Sequence, residues 1–294
     1  MQKNKENIKG IKKYVTKCNS QFSIDTCKKK HISFHPKDFN KSFSLAELDV
    51  IDTTEGCVLY DDNGNEVCIL IPRKKALSRK GKKAFKKHLS LMKLLMKEEK
   101  GVERSKARKG IAEKEVAVGL KTNRVGHGYV ESSLKKKNPT AWKTVCKYAR
   151  QTEHVASEFI KEGLLVGHNR AKDLIGWSSL ESAKIFNALS VSCNYYSRAH
   201  VDADFFFSVF QIIVDSDDIS YSESGSVVQH FCFPTTGYAV AVRNGDMLLF
   251  NPSVYHCLSQ KEKSFQGKDV FVNSFYLKSN IVGLHNNEIP FHEK

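Results

Sequence analysis

Seven short apolar segments follow one another from Leu189 to Leu277, and they constrain the fold of this chain more than any other feature. They are separated by turn residues, and they read LSVSCNYY, FFSVFQIIV, VVQHFCF, YAVAV, DMLLF, VYHCL and VFVNSFYL. Several short β-type segments at this spacing are typical of a sandwich or a barrel. The sequence therefore predicts a closed or two-layered β structure in the last third of the chain.

Upstream of these strands, the sequence predicts an N-terminal arm and a β-hairpin. Residues 1–43 are polar and lysine-rich with little periodicity, which is typical of a loosely ordered arm. The stretch CVLYDDNGNEVCILIP has alternating apolar runs on both sides of Asn63-Gly64. This pattern is a strong local indication of a hairpin.

Two helices are predicted between residue 139 and the strands. One begins at Pro139 and ends near Gly163, since proline is favoured at the first helical position and glycine just past the last. A shorter helix is predicted from Ser178 to about Asn187, with Glu181 placed as in a capping box.

The predicted domain boundaries follow from these changes in pattern. Residues 1–43 form the basic arm, residues 44–187 hold the hairpin and the helices, and residues 188–294 form the β core. We expect residues 44–294 to fold as one unit.

The positive charge of the chain is concentrated in its first half. Residues 1–150 hold 36 basic and 16 acidic residues, whereas residues 151–294 hold 11 and 16. Residues 73–110 alone hold 16 basic and three acidic residues, with apolar residues at helical spacing. This segment predicts one or two basic helices suited to nucleic acid, with these candidate contacts: Arg73, Lys74, Lys75, Arg79, Lys80, Lys82 and Lys83.

Several classes of protein are disfavoured by the sequence. The eight cysteines include no CxxC pair, so neither a disulfide framework nor a zinc site is indicated. No run approaches the roughly 18 apolar residues of a membrane span, and the N-terminus lacks the apolar stretch of a secretory signal. We therefore expect an intracellular protein, nuclear or cytoplasmic, with no membrane partner. No pattern indicates its oligomeric state.

A histidine and an aspartate stand two residues apart where the second apolar segment begins. Because residues i and i+2 of a strand point to the same side, His200 and Asp202 can aim at one point. His256, on a later predicted strand, is the candidate third ligand. Two histidines and a carboxylate on one face of a metal form the facial triad of non-haem Fe(II) oxygenases, which leaves the other positions open.

The stretches HVD and RNGDMLLFNPSVYHCLS together resemble the core motif of the Fe(II)/2-oxoglutarate dioxygenases, over roughly residues 188–278. The resemblance implies an α+β protein whose core is a double-stranded β-helix, or jelly roll, flanked by N-terminal helices and a β-hairpin. It implies His200, Asp202 and His256 as catalytic metal ligands. It also implies Fe(II), 2-oxoglutarate and O2 as cofactors, with ascorbate as an optional one, and hydroxylation of a C–H bond.

The chain departs from this family after His256. Many members bind the far carboxylate of 2-oxoglutarate with an arginine about ten residues past the distal histidine, but QKEKSFQGKDVFVNSFYLK contains none. Lys268 is the best substitute cation, with Asn273, Ser274 and Tyr276 as polar helpers, although a lysine lacks the bidentate fork of arginine. Tyr195 and Tyr196 are a second option, and a solvent-exposed turn lysine is the alternative interpretation of Lys268.

The basic region ahead of the predicted jelly roll resembles the TET/JBP branch of the family, which oxidises the methyl group of a pyrimidine base. This comparison implies a flipped base in the pocket, with Phe205 or Tyr196 stacking on it. Independently of the comparison, Arg198 shares the predicted strand face of His200, where it can neutralise a carboxylate or contact the substrate. Two alternatives stay open: a prolyl- or lysyl-type protein or small-molecule hydroxylase, and a non-catalytic nucleic-acid-binding protein with a degenerate jelly roll.

Overall fold

The computed structural model describes residues 12–15, 48–61, 64–76, 81–98, 102–104, 110–122, 129–160, 180, 183, 185–197, 199–202, 204, 207–216 and 225–277. The helices in these residues are α1 (Arg73–Ala76), α2 (Gly81–Glu98), α3 (Leu134–Lys137) and α4 (Pro139–Ser157). The strands of the first half are β1 (Lys12–Val15), β2 (Asp49–Ile51), β3 (Cys57–Tyr60), β4 (Glu66–Ile71), β5 (Val102–Arg104), β6 (Gly110–Thr122) and β7 (Tyr129–Glu131).

The second half contributes the strands of the predicted β core. They are β8 (Ala188–Cys193), β9 (Tyr196–Ser197), β10 (Ser208–Val214), β11 (Val227–Phe233), β12 (Tyr238–Arg243), β13 (Met247–Phe250), β14 (Cys257–Leu258) and β15 (Val270–Tyr276). Each of the seven apolar segments overlaps at least one of these strands.

These strands form two sheets. The larger sheet has the order β1-β3-β4-β13-β10-β15-β8-β6-β5, with β7 and β9 also paired to β6. The smaller sheet has the order β14-β11-β12-β2. From β8 onward the chain passes between the two sheets, with β8, β10, β13 and β15 in the larger and β11, β12 and β14 in the smaller. This is the predicted jelly-roll architecture in an α+β chain, so the predicted fold class is confirmed.

The larger sheet separates two apolar cores. Its inner face packs on the smaller sheet through residues such as Phe210, Phe231 and Leu248. Its outer face packs on α2 and α4 through residues such as Trp142 and Phe275. Strand alternation sends neighbouring residues of one strand to opposite faces, so a single strand can serve both the cavity between the sheets and the helix layer.

The predicted hairpin and long helix are present. β3 and β4 pair antiparallel, and the Gly64 N–H donates to the Asp61 carbonyl at 3.0 Å. α4 begins at Pro139, and the side chain of its N-cap residue Asn138 accepts a hydrogen bond from the Ala141 N–H at 3.0 Å. This contact satisfies one of the unpaired donors of the first helical turn. The helix ends at Ser157, earlier than predicted.

Other parts of the first half differ from the prediction. β6 is a 13-residue strand that pairs with β8, and β5 lies within the segment predicted as basic helix. Within the predicted arm, β1 pairs with β3, and the rest of the arm lies outside the described residues. The predicted helix at Ser178 is wrong for the residues described there, since Leu180 and residues 185–187 are buried without helical structure.

The predicted domain boundaries stay a prediction. Strands from both predicted segments lie in the same sheet, since β4 pairs with β13 and β6 pairs with β8.

Within the described residues, no helix combines the length and the apolar character that a membrane crossing requires.

Candidate metal centre

The two predicted histidine ligands lie directly opposite each other. The His200 N–H donates to the His256 carbonyl at 2.9 Å, and the His256 N–H donates to the His200 carbonyl at the same distance. This isolated antiparallel bridge pairs His200, three residues after β9, with His256, the residue just before β14. The Asp202 N–H donates to the Pro252 carbonyl at 2.8 Å, so the aspartate is held by the same two chain segments although it lies just outside the strand.

The side chains of these residues converge. Asp202 Oδ2 lies 3.6 Å from His200 Nε2 and 3.4 Å from His256 Nε2. The candidate ligand atoms all lie within 4.8 Å of one another. Two ligands of one metal, each at about 2.1 Å, are roughly 3–3.6 Å apart, so both histidine–aspartate distances suit a single ion. Among the described residues this is the one group of three such side chains placed to hold a metal.

His256 is fixed from three sides. Its Nδ1 lies 2.8 Å from the Val254 carbonyl, to which it donates, so Nε2 keeps its lone pair toward Asp202. A second hydrogen bond of this kind sets the tautomer and orientation of many metal-binding histidines. Phe231 stacks on the imidazole with ring centres 5.5 Å apart, and Phe250 meets it edge-on at 4.8 Å.

The protonation states also suit a metal. Burial alone raises the pKa of Asp202, but hydrogen bonds and charge from His200 and His256 in their protonated forms outweigh this effect and hold its pKa well below the usual value. Burial lowers the pKa of His256, and Asp202 offsets only part of this effect. An ionised carboxylate and a neutral imidazole are the forms that bind metal ions, so the residues present fit an iron of the facial-triad kind.

The three donors line a cavity of about 170 Å³ between the sheets. Its walls carry hydroxyl groups and aromatic rings, from Ser190, Ser192, Ser197, Ser208, Ser274, Tyr195, Tyr276, Phe210, Phe231 and Phe250. Glu115 and Asp204 add two carboxyl groups, and none of the described lining residues is a lysine or an arginine. Of the predicted cosubstrate residues, the structure therefore brings Tyr195, Ser274 and Tyr276 into the metal cavity, whereas Asn273 contacts Tyr148 of α4.

The other two predicted cosubstrate residues, Lys268 and Tyr196, line a second cavity of about 570 Å³. Tyr195 borders both cavities, and β15 runs along both, with Val270 in the second and Val272 in the first. The second cavity also contains Lys261, whose Nζ donates to Asn194 Oδ1 at 2.8 Å and to the Lys268 carbonyl at 2.7 Å. The cosubstrate role of Lys268 stays a prediction.

The first predicted nucleic-acid contacts lie away from the metal. The Arg73 N–H donates to Asp246 Oδ1 at 2.8 Å, and Lys74 and Lys75 place Nζ at 2.5 Å and 3.3 Å from oxygens of Glu55. These three residues come directly after β4, whose Ile71 pairs with Met247 at the start of β13. Phe250, which lines the metal cavity, is at the other end of β13.

The remaining predicted contacts are not described by the structure as side chains. Arg79, Lys80, Arg198 and Phe205 lie outside the described residues, whereas Lys82 and Lys83 are described only as backbone within α2. Their roles stay predictions.

Sequence reasoning missed the part of the polar cavity wall that β8 and β6 supply. Ser190 and Ser192 alternate with Leu189, Val191 and Cys193 along β8, so the period-2 pattern contained the signal. Glu115 comes from β6, whose position beside β8 no local pattern reveals.

Solved structures with a related fold share little sequence with this chain. NgTET1 in complex with 5mC DNA is 11% identical, with 88% of this chain and 92% of that chain covered and a TM-score of 0.50. A 2OG-Fe(II) oxygenase family oxidoreductase from Burkholderia pseudomallei is also 11% identical, with 72% and 86% covered and a TM-score of 0.44. A Pseudomonas putida prolyl-4-hydroxylase is 9% identical, with 72% and 92% covered and a TM-score of 0.42.

Neither a protein-family model nor a curated protein sequence matches the chain. The NgTET1 match establishes the fold. The chain has the fold of NgTET1, and its two sheets form the double-stranded β-helix that the sequence resemblance implied. The three candidate ligands of this chain line the cavity between these sheets, and their donor atoms are placed to hold a metal ion.

Proposed function

We propose that the protein is an Fe(II)- and 2-oxoglutarate-dependent dioxygenase that hydroxylates a C–H bond, with a modified base in nucleic acid as its substrate. The reaction converts R–H, O2 and 2-oxoglutarate into R–OH, succinate and CO2. One oxygen atom of O2 enters the substrate and the other enters succinate, and loss of CO2 supplies the remaining two electrons.

The observation that carries this proposal is the convergence of His200, Asp202 and His256 at one wall of a cavity inside a double-stranded β-helix. A bound Fe(II) supplies the O2 chemistry that no side chain provides. The residues of this chain hold and orient that ion. The backbone bridge sets the spacing of the histidines, Val254 fixes the His256 tautomer, and Phe231 and Phe250 cover the imidazole against water.

The same cavity offers groups for 2-oxoglutarate. The Ser274 and Tyr195 side chains line it, and hydroxyl groups donate well to carboxylates. Lys268 and Lys261 lie in the neighbouring cavity beyond Tyr195. We assign the far carboxylate of the cosubstrate to the Lys268 side, because none of the described lining residues of the metal cavity has a positive side chain.

The size and lining of the cavity support a planar substrate group. At about 170 Å³, it is smaller than the roughly 300–1,000 Å³ of drug-sized pockets, so it suits a small cosubstrate and one projecting group. Its rings and hydroxyls match a flipped base, which enzymes bind by stacking and by hydrogen bonds to its edge. Tyr196, Phe205 and Arg198 are the proposed substrate contacts.

The positive charge of the first half supports a nucleic-acid partner, and so does the binding of 5mC DNA by a protein of this fold, NgTET1. An intracellular site of action, nuclear or cytoplasmic, follows from such a substrate.

A second candidate function is hydroxylation of a protein side chain, of the lysyl or prolyl type. The observation that favours it is the pair of carboxyl groups from Glu115 and Asp204 in the metal cavity. A cavity lined by acidic groups attracts a cationic lysine side chain more readily than a phosphate. In this reading, the basic helices serve localisation or an acidic partner.

One experiment separates these functions. The full chain is loaded with Fe(II) without oxygen, and 2-oxoglutarate and O2 are added with DNA that contains 5-methylcytosine, or with peptides rich in lysine and proline. Mass spectrometry of the digested substrates is expected to show one added oxygen atom on the base. Addition to the peptide instead would support the second candidate, and Fe(II) binding without any oxidation would support the non-catalytic reading.

A further inference from the structure

The outer face of α2 is a row of lysines. Lys86, Ser90, Lys93 and Lys97 are exposed and recur at the spacing of one helix face, whereas Leu91, Met92 and Leu95 are buried on the opposite face. Lys93 Nζ lies 2.8 Å from Asp215 Oδ1, so this one lysine is partly neutralised.

The outer face of α4 is also basic, a feature that the sequence analysis did not identify. Lys143, Lys147 and Arg150 are exposed, with Thr140, Thr144 and Gln151 between and beside them. The acidic residue of this helix, Glu153, is 8% exposed and faces inward. α3, directly before α4, adds the exposed Lys136 and Lys137.

The two helices form one layer. His88 of α2 places its ring 3.8 Å from the ring of Tyr148 of α4, and its Nε2 lies 3.4 Å from Gln151 Oε1. The buried faces of both helices belong to the same core on the outer side of the larger sheet. Their exposed rows therefore point to the same side of the molecule. We call the exposed basic residues of α2, α3 and α4 the helical basic face: Lys86, Lys87, Lys93, Lys97, Lys136, Lys137, Lys143, Lys147 and Arg150.

This face lies behind the metal centre. On β8, Ser190 and Ser192 line the metal cavity, whereas Leu189 and Val191 pack in the helix-side core. On β15, Ser274 lines the cavity while its neighbour Phe275 packs against Tyr148 with ring centres 5.1 Å apart. The larger sheet therefore stands between the helical basic face and the cavity, so a phosphate bound on the helices is not next to a base bound at the metal.

From this arrangement we infer that the helical basic face is a second nucleic-acid-binding surface, which holds the backbone of a duplex at a distance from the catalytic cavity. The choice of nucleic acid rests on the proposed function. The face acts as a tether for a separate stretch of a long substrate, and it takes no part in presenting the target base.

The composition of the face favours a nucleic-acid backbone over a membrane surface or a protein partner. Membrane-surface helices need exposed apolar anchors, and the centre of a protein interface is depleted in charge and rich in aromatic residues. The exposed large hydrophobic residues of the described chain are Val50 and Val201, which lie elsewhere. Two helices of about 27 Å each that present lysines, arginine and hydroxyl groups offer the groups that contact phosphates.

The test is the salt dependence of binding to a random-sequence duplex DNA, measured by fluorescence anisotropy with the full chain. The variants Lys97→Gln and Lys147→Gln each remove one charge from the face. Each is expected to reduce the slope of log K against log salt by about one, and the double variant by about two. Lys263→Gln, at an exposed position between β14 and β15, is the matched control and is expected to keep the slope of the unmodified protein.

A second readout separates this inference from the proposed function. Asp202→Ala is expected to bind the duplex with an unchanged slope. The Lys97→Gln/Lys147→Gln protein is expected to oxidise a short single-stranded oligonucleotide at the normal rate but to require more long duplex for half-maximal rate. An unchanged slope in the double variant, or equal losses in Lys263→Gln, would overturn the tether. Binding to phosphatidylserine vesicles that depends on the same lysines, without duplex binding, would also overturn it and would identify a membrane surface.

Discussion

His200 and His256 exchange both backbone hydrogen bonds, each 2.9 Å long, across the gap between the β9 segment and β14. The two histidine donors are therefore positioned by main-chain pairing, which does not depend on a metal ion. Asp202 joins them through its own backbone bond to Pro252. We expect the site to exist in the metal-free protein, with removal of a donor side chain affecting metal binding far more than folding.

Replacing Asp202 by alanine tests this expectation. The side chain is partly exposed and its backbone bond remains, so the free energy of unfolding is expected to change by less than about 1 kcal/mol. Fe(II) binding and turnover are expected to fall to background, because two histidines alone do not complete the triad. Isothermal titration with Fe(II) and urea denaturation measure the two effects. Val201→Ala, at the exposed position between the ligands, is the control and should behave as the unmodified protein does.

Lys268→Met tests the assignment of the cosubstrate. If the ammonium group neutralises the far carboxylate of 2-oxoglutarate, its loss is expected to raise KM for 2-oxoglutarate about tenfold or more with little change in kcat, since a charge-assisted contact is lost. Steady-state kinetics at varied 2-oxoglutarate concentration measure the effect. Lys263→Met removes a nearby exposed lysine and should leave KM unchanged. A KM for 2-oxoglutarate in Lys268→Met that equals the KM in Lys263→Met would show that Lys268 does not bind the cosubstrate.

His88 makes the stability of the helix layer depend on pH. Burial lowers its pKa from 6.5 to about 4, against a smaller opposing effect of the Gln151 contact. The unfolded chain therefore binds more protons than the folded chain between pH 4 and pH 6.5. The free energy of unfolding is therefore highest, as far as His88 is concerned, above pH 6.5. It decreases as the pH falls toward 4, by about 3 kcal/mol at most.

His88→Gln is expected to flatten the pH dependence of the free energy of unfolding in this window, measured by urea denaturation at a series of pH values. His154→Gln, at an exposed position on α4, is the matched control and should retain the slope. A steep slope that survives in His88→Gln would assign the effect to another group.

Tyr148 anchors α4 to the larger sheet through polar contacts in an apolar layer. Its hydroxyl contacts Gln211 Oε1 and lies 3.2 Å from Asn273 Oδ1, and all three residues are buried. Tyr148→Phe leaves buried acceptors without this donor, so the free energy of unfolding is expected to fall by about 1–3 kcal/mol. Since Tyr148 lies on the helix side of the sheet, Fe(II) affinity should not change. A weaker Fe(II) affinity at full stability would contradict this separation.

The triad could be predicted from the sequence because its pattern is local in two places. The His200–Asp202 pair and the Gly-Asp turn, apolar strand and Pro turn before His256 each indicate their own geometry, and the jelly-roll topology brings them together. The strands of the second half were also predictable, since their apolar runs are short and bounded by turn residues.

The environment of the triad was less accessible to sequence reasoning. β6 reaches the cavity only because it pairs with β8, and its Glu115 carries no local mark of that role. The lysines of α2 and α4 form one face because both helices cover the same side of one sheet. Sequence patterns predict which residues of a helix are buried, but not which helices lie side by side.

The most direct test of the central claim is the release of succinate from 2-oxoglutarate by the Fe(II)-loaded full chain on admission of O2, in parallel with the Asp202→Ala variant. We predict succinate formation that requires Fe(II), increases with DNA containing 5-methylcytosine and is absent in the variant. No succinate from protein that has bound one Fe(II), under every substrate condition, would contradict the assignment of this site as a 2-oxoglutarate dioxygenase.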